Sequence, residues 1–259
     1  MRRGMGFSVL LLGVAGAFFW FGGAPRPDFE RVRLAFRIRE VSVQGLQYLE
    51  ESEVLERADL PLDLAIWDRP TPIAVRLREH PMILDVRVRR AFPFALQITV
   101  QERVPVAYHP KPVLSPVDRE GNALPLDPTL HPLDLPLLQA NAEGRSVGVS
   151  SDRRSDLDGL SPAQVRLLAE EVARISEFDP DVLATLSEAA LDRWGDVILR
   201  FHDPDVEFWY RPPLTPSRLR EGVIALGDAR GRRVDQIPEV VDLRFEDQVV
   251  IRFHPLRVR

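Results

Sequence analysis

Between Phe36 and Ala107 the spacing of apolar and polar positions changes from alternation to helical periodicity and back, which predicts strand, helix, helix, strand, strand. Ile38, Val41 and Val43 alternate, with one irregular step, as a half-buried strand does, and Gly45 closes it at a turn. Ser52, Val54, Leu55, Ala58 and Leu60 suit a short helix stopped at Pro61. Thr71-Pro72 supplies an N-cap followed by proline at the first helical position, and the helix runs to His80 before Pro81 ends it. Its buried side is Ile73, Ala74 and Leu77, with Arg76, Arg78 and Glu79 opposite. Leu84, Val86 and Val88 then alternate with Asp85, Arg87 and Arg89; Leu96, Ile98 and Val100 alternate with Gln97, Thr99 and Gln101. Phe92-Pro93-Phe94 joins these strands as a hairpin. Each strand has one apolar face, so the two helices should cover that face and leave a polar sheet surface open.

Beyond Ala107, three prolines at 110, 112 and 116 suit an extended connection over 108–116. Residues 139–159 are small and polar and read as a loop. Ser161-Pro162-Ala163-Gln164 is a capping box with proline at N1, and Val165, Leu168, Val172 and Ile175 continue it as an amphipathic helix to Asp179-Pro180. Strands are predicted at Leu186 to Leu191, Val197 to Phe201 and Val206 to Tyr210, then a capped helix from Thr215-Pro216 to about Gly231. Two strands close the chain, Val240 to Phe245 and Val249 to Phe253, joined by the turn Glu246-Asp247-Gln248.

Ahead of these lies a run from Gly6 to Ala24 without a charged residue. At about 1.5 Å per residue it just covers a hydrocarbon core of about 30 Å. Phe18 to Phe21 crowd its far end, and Arg2 and Arg3 mark the N-terminus as the cytoplasmic side. A cleaved signal peptide is the alternative, since Gly22 and Ala24 offer small residues at suitable spacing, but the run exceeds the usual h-region. Either way the body is extracytoplasmic. Arg31, Arg33, Arg37 and Arg39, interspersed with Asp28, Glu30 and Glu40, read as a solvated juxtamembrane stalk. A net charge of -5 argues against nucleic acid as a partner, and the absence of cysteine removes disulfides, thiolate metal sites and thiol nucleophiles. His80, His109, His131 and His254 all precede proline, which puts them at turns rather than in a ligand cluster. His202-Asp203-Pro204-Asp205 is the best metal candidate by composition, yet a hairpin turn explains it better. No catalytic motif is present, so no enzyme, metal or cofactor is expected.

The words Val41-Ser42-Val43-Gln44-Gly45, His80-Pro81, Val86 to Pro93 and Ile98 to Ala107, the last ending Glu102-Arg103-Val104-Pro105-Val106-Ala107, resemble the POTRA domain of the FtsQ/DivIB cell-division proteins. Gly45, Pro81, Arg90, Pro93, Glu102, Arg103 and Pro105 carry that motif, with Glu102 and Arg103 read as an ion pair at a strand end. Val117 to Gly121 with Leu135 to Leu138, and the word Val241-Asp242-Leu243-Arg244-Phe245, resemble the family's second, β domain. The resemblance implies an α+β fold: a single N-terminal transmembrane helix, a βααββ POTRA domain, then a mixed-sheet β domain with covering helices. The expected segments are a cytoplasmic tail 1–5, span 6–24, stalk 25–35, POTRA domain 36–107, linker 108–116, β domain 117–253 and tail 254–259. It also implies a scaffold in the inner membrane at the division septum, N-terminus cytoplasmic, that connects assembly to septal wall synthesis. Partners would be bitopic proteins of the FtsB and FtsL type, received at Arg244, Phe245, Val249, Val250, Ile251, Arg252 and Phe253, with Arg193 as a further contact. Phe245 stands where tyrosine is common in the family. Other divisome membrane proteins would dock on the POTRA domain, while the short tail leaves cytoplasmic partners unexpected. The rival is a secreted periplasmic POTRA-type transport or folding chaperone without an anchor.

Overall fold

The computed structural model describes residues 33–110, 113–140, 159–232 and 236–255. The expected span at 6–24, tail 1–5 and most of the stalk and of the loop 139–159 lie outside these. Among the described residues, no helix is long and apolar enough to cross a membrane. The chain is α+β and divides into two compact units.

The first unit holds residues up to Gly45, then Glu51–Leu77 and Val86–Val100. Its elements are β1 (Glu40–Gln44), α1 (Glu51–Ala58), α2 (Thr71–Arg78), β2 (Ile83–Ala91) and β3 (Ala95–Glu102). The sheet order is β1-β3-β2, with β1 parallel to β3 and Val41 beside Leu96. Strict alternation in β3 puts Leu96, Ile98 and Val100 in the core and Thr99 and Gln101 outside. From the helices, Val54, Ala58, Ile73, Ala74 and Leu77 are buried. Arg76 donates to the carbonyls of Ala58 and Asp59, which satisfies acceptors left over at the end of α1.

Two local expectations change. Thr71 is the first helical residue rather than the cap, and the Pro70 carbonyl accepts from Ile73 and Ala74. In β2 the buried residues are Ile83 and Val86, and Leu84 is exposed, so the start of the strand departs from strict alternation.

The second unit comprises Leu46–Glu50, Arg78–Asp85 and the chain from Gln101 onward. It contains β4 (Ala107–His109), β5 (Ser115–Val117), β6 (Leu137–Gln139), α3 (Pro162–Phe178), α4 (Pro180–Ala184), β7 (Leu186–Leu191), β8 (Val197–His202), β9 (Asp205–Tyr210), α5 (Pro216–Arg232), β10 (Gln236–Asp242) and β11 (Val250–Pro255). One mixed sheet runs β11-β10-β9-β8-β7-β6-β4-β5. The proline-rich stretch 108–116 therefore supplies residues to two of its strands.

Parallel neighbours cannot be joined by a tight turn, and the two long helices fall where the connections need them. β6 is parallel to β7, with α3 and α4 between them in sequence; β9 is parallel to β10, with α5 between them. The capping box of α3 forms as expected: Ser161 accepts from the Gln164 amide and Gln164 accepts from the Ser161 amide. Leu168, Val172 and Ile175 of α3 and Leu219 and Leu226 of α5 pack on Leu199, Phe208 and Val241 of the sheet. Gly222 is required by this approach, because a Cβ there would lie 2.9 Å from the Phe208 ring.

The helices cover one face of the sheet, so the alternate residues of β7 to β11 share the other.

Candidate functional site

That second face ends at β11, the last strand in the sheet order. Cross-strand register places Glu188 beside Arg200, Arg200 beside Glu207, Ile198 beside Trp209, Trp209 beside Asp242 and Asp242 beside Val250. The side chains join into a polar chain across the strands. Arg200 donates to Glu188 at 2.6 Å and to Glu207 at 2.9 Å, and the Trp209 indole N–H donates to the second oxygen of Glu207 at 2.8 Å. Burial works against the Arg200 charge, yet its bonds to the two carboxylates raise its pKa above the ordinary value.

At the edge the centre is Asp242, whose side chain is fully buried. Arg244 binds it through both carboxylate oxygens, at 2.8 and 2.6 Å, and Arg252 from β11 adds a contact at 3.2 Å. Both guanidiniums lie 4.9 Å from the centre of the Trp209 ring. Arg244 also reaches Asp196, just before β8, at 3.4 Å. Burial alone would push the Asp242 carboxyl up; hydrogen bonds from Arg244 and the charges of Arg244 and Arg252 outweigh it and hold the group below the usual carboxylate range. The same bonds raise Arg244 further above its ordinary value.

The expected closing hairpin is relocated. Its first strand runs Gln236–Asp242 rather than Val240 to Phe245, and β11 extends to Pro255, two residues past the expected end at Phe253. Residues 243–249 form a wide connection instead of a short turn. The reason lies in α5: Arg218 donates to the carbonyls of Leu243, Phe245 and Gln248, which takes up acceptors that a continuing strand would have used. Arg244 and Phe245 therefore sit in the connection, Arg244 largely covered and Phe245 exposed. Val249 packs on the core; Val250, Ile251 and Phe253 are half-buried; Arg252 is exposed. Arg193 lies apart in residue contacts, stacked 4.0 Å from the centre of the exposed Trp194 ring in the turn between β7 and β8.

Sequence reasoning missed Asp242, Trp209, Asp196 and Arg218 as parts of this site. An Asp and an Arg two residues apart at a strand end fall on one face, which was a readable signal for Asp242. Nothing local pointed to Arg218.

The residues of the POTRA words have structural duties. Gly45 has φ +87°, and a Cβ there would lie 2.1 Å from the Val100 carbonyl oxygen, so only glycine fits. Pro81 lies in the turn after α2, and Pro93 sits in the β2–β3 turn after a cis peptide bond. Arg90 donates to the carbonyls of Trp67 and Asp68. Glu102 and Arg103 do not pair with each other. Glu102 accepts from the amides of Tyr48 and Leu49 at 2.8 and 3.0 Å, while Arg103 donates to Asp118 at 2.5 Å and Glu120 at 3.0 Å. Asp118 is buried and also accepts from Asn122; burial raises its pKa, but these bonds and Arg103 bring it below the ordinary value. Pro105 is buried just before β4. His202 and Asp205 face each other across the β8–β9 hairpin, and no group of metal-binding side chains occurs among the described residues.

A small βααββ unit followed by a mixed sheet with an edge strand is the form of a POTRA-containing protein, and the POTRA domain, FtsQ-type, family matches residues 36–103. Curated relatives agree over much more of the chain. The chain is 30% identical over 230 residues to the cell division protein FtsQ of Anaeromyxobacter sp. strain K, covering 83% of this chain and 71% of that protein. It is 31% identical to FtsQ of Streptomyces coelicolor, covering 61% of this chain and 64% of that protein, and 29% identical to FtsQ of Mycobacterium tuberculosis H37Rv, covering 62% and 50%. The chain belongs to the FtsQ/DivIB family of cell-division proteins.

Proposed function

We propose that the protein is a non-catalytic, bitopic scaffold of the division machinery, held in the inner membrane by residues 6–24 with its body outside the cytoplasm. It docks bitopic partners of the FtsB and FtsL type at β11 and other divisome membrane proteins on the POTRA unit, and so connects assembly to septal wall synthesis. One observation carries the reading: β11 ends the sheet order, next to a clamp of Asp242, Arg244, Arg252 and Trp209 that fixes the edge. An edge strand offers main-chain donors and acceptors to an added strand, and side-chain pockets set its register. Phe245, exposed in the connection that leads into β11, and Arg252 supply apolar and cationic contacts for an amphipathic segment. The domain limits 36–107, 108–116 and 117–253, the contact at Arg193 and the septal, single-span topology belong to the same proposal.

Photo-crosslinking residues at Phe245 and Arg252 in living cells test it. Adducts identified by mass spectrometry as bitopic division proteins are expected from both positions, and their absence from both removes the β11 site. Sequencing of the mature N-terminus separates the anchored scaffold from the secreted chaperone, because a chain starting near Pro25 supports the latter.

A further inference from the structure

Three segments of the first unit are fastened together where the chain leads back toward the apolar run at 6–24. The main chain of 33–39 bonds to the loop at 61–69 through Ile38 to Leu64 (2.8 Å) and Ile66 to Phe36 (3.0 Å), and to the β2–β3 turn through Arg39 to Phe94 (2.8 Å). Rings cement the same place. Phe36 lies 5.3 Å from Trp67 and 6.1 Å from Phe94, and the Arg39 guanidinium lies 4.6 Å from the Phe94 ring centre. Arg90 ties the loop to β2 through the carbonyls of Trp67 and Asp68. The main chain of residues 33–39 is thus built into the unit, while the Arg37 and Arg39 side chains stay exposed to solvent.

This end is apolar and basic at once. Leu34, Leu62, Trp67 and Phe92 are 56%, 93%, 46% and 79% exposed. Around them stand Arg33, Arg37, Arg39, Arg69 and Arg90, against Asp63 and Asp68, and Arg33 already engages both aspartates. Exposed large apolar side chains set singly among arginines do not make a groove for a helix or a strand. They match a headgroup layer, in which an aromatic or aliphatic tip enters the interface and guanidiniums meet phosphates.

We propose that this end of the POTRA unit is a docking seat for a membrane surface rich in anionic phospholipid. The inference rests on the reading of 6–24 as a span. From Ala24 to Arg33 is a reach of at most about 30 Å, so the seat is tethered beside the bilayer at high effective concentration. Within about 8 Å, the Debye length at physiological salt, the arginines feel the surface charge. Docking sets the orientation of the unit on the membrane and leaves the polar face of its sheet for proteins.

The chain has no cysteine, so Phe92→Cys carries a single environment-sensitive label on the full-length protein. In vesicles of equimolar phosphatidylcholine and phosphatidylglycerol its emission should shift to the blue relative to phosphatidylcholine alone, and revert at about 1 M salt, where the Debye length is about 3 Å. Arg37→Gln and Arg69→Gln should each lower the ratio of docked to undocked label about fivefold. Alkaline carbonate extraction of the same vesicles reads the span separately. A chain that resists extraction but emits identically in both lipids overturns the seat and leaves the span standing. A chain that is extracted yet still shifts with phosphatidylglycerol overturns the span and supports the seat. Extraction without a shift overturns both.

Discussion

Asp242 shows how one residue organises the edge of the second unit. A buried carboxylate is costly unless it is paired and hydrogen-bonded, and here the two oxygens are taken by Arg244, with Arg252 beside them. Removing the charge leaves two guanidiniums together over Trp209 with only Asp196 near one of them. Asp242→Asn should therefore cost about 2 to 4 kcal/mol in urea denaturation at neutral pH. The pH dependence has a definite sign. The folded-state pKa is depressed, so the stabilisation is complete above the unfolded value of about 3.9 and is lost as pH falls through the lower folded value. The gap between parent and variant should stay constant from pH 7 to about pH 5 and close in stronger acid. A gap that persists unchanged at the acid end would show that packing, not charge, is what Asp242 supplies. The resemblance of Val241 to Phe245 to the family's β domain made Arg244 visible in the sequence, while its value depends on Asp242 and on Trp209, which strand register brings beside Asp242.

At the scale of elements, what the sequence announced and what it hid divide by the distance of the cause. The α3 capping box and the alternation of β3 are local, and both form as read. The end of β10 is not local: Arg218, far along the chain on α5, holds the carbonyls of Leu243, Phe245 and Gln248 and opens a wide connection where alternation alone suggested a longer strand. Leu84 is a related case, since its place depends on an irregular step at the start of β2 that composition does not mark. Arg218→Ala should release the connection without dismantling the sheet, because Leu219 and Leu226 still hold α5 on the core. Hydrogen exchange at 243–249 should speed up at least about tenfold, the equivalent of about 1.4 kcal/mol of lost local stability, while β8 and β9 remain protected. Crosslinking yield from Phe245 should fall in the same variant. Unchanged exchange across 243–249 would mean that Arg218 follows the loop rather than holds it.

Across the whole molecule, the strands and helices of the first unit were readable from local periodicity, whereas the pairing of β1 with β3 and the order of the eight-stranded sheet were not. Two parallel pairings, β6 with β7 and β9 with β10, depend on helical crossovers, and no pattern in the strands tells which neighbours they choose. That order leaves two edges of different character. β5 is three residues long and contains Pro116, features that discourage strand addition. β11 is six residues long, with Val250, Ile251 and Phe253 half-buried and Arg252 exposed, and is the edge suited to receive a strand. Alternate N–H groups along an edge strand face the sheet and the partner in turn, so proline at adjacent positions distinguishes the two. Of Ile251→Pro and Arg252→Pro, one should weaken capture of a purified FtsB-type partner at least about tenfold, about 1.4 kcal/mol, with little change in thermal midpoint. The other should break a β10–β11 hydrogen bond and lower the midpoint itself. If both variants capture the partner as the parent does, main-chain pairing at β11 is not how this scaffold binds, and side chains such as Phe245 must carry the contact alone.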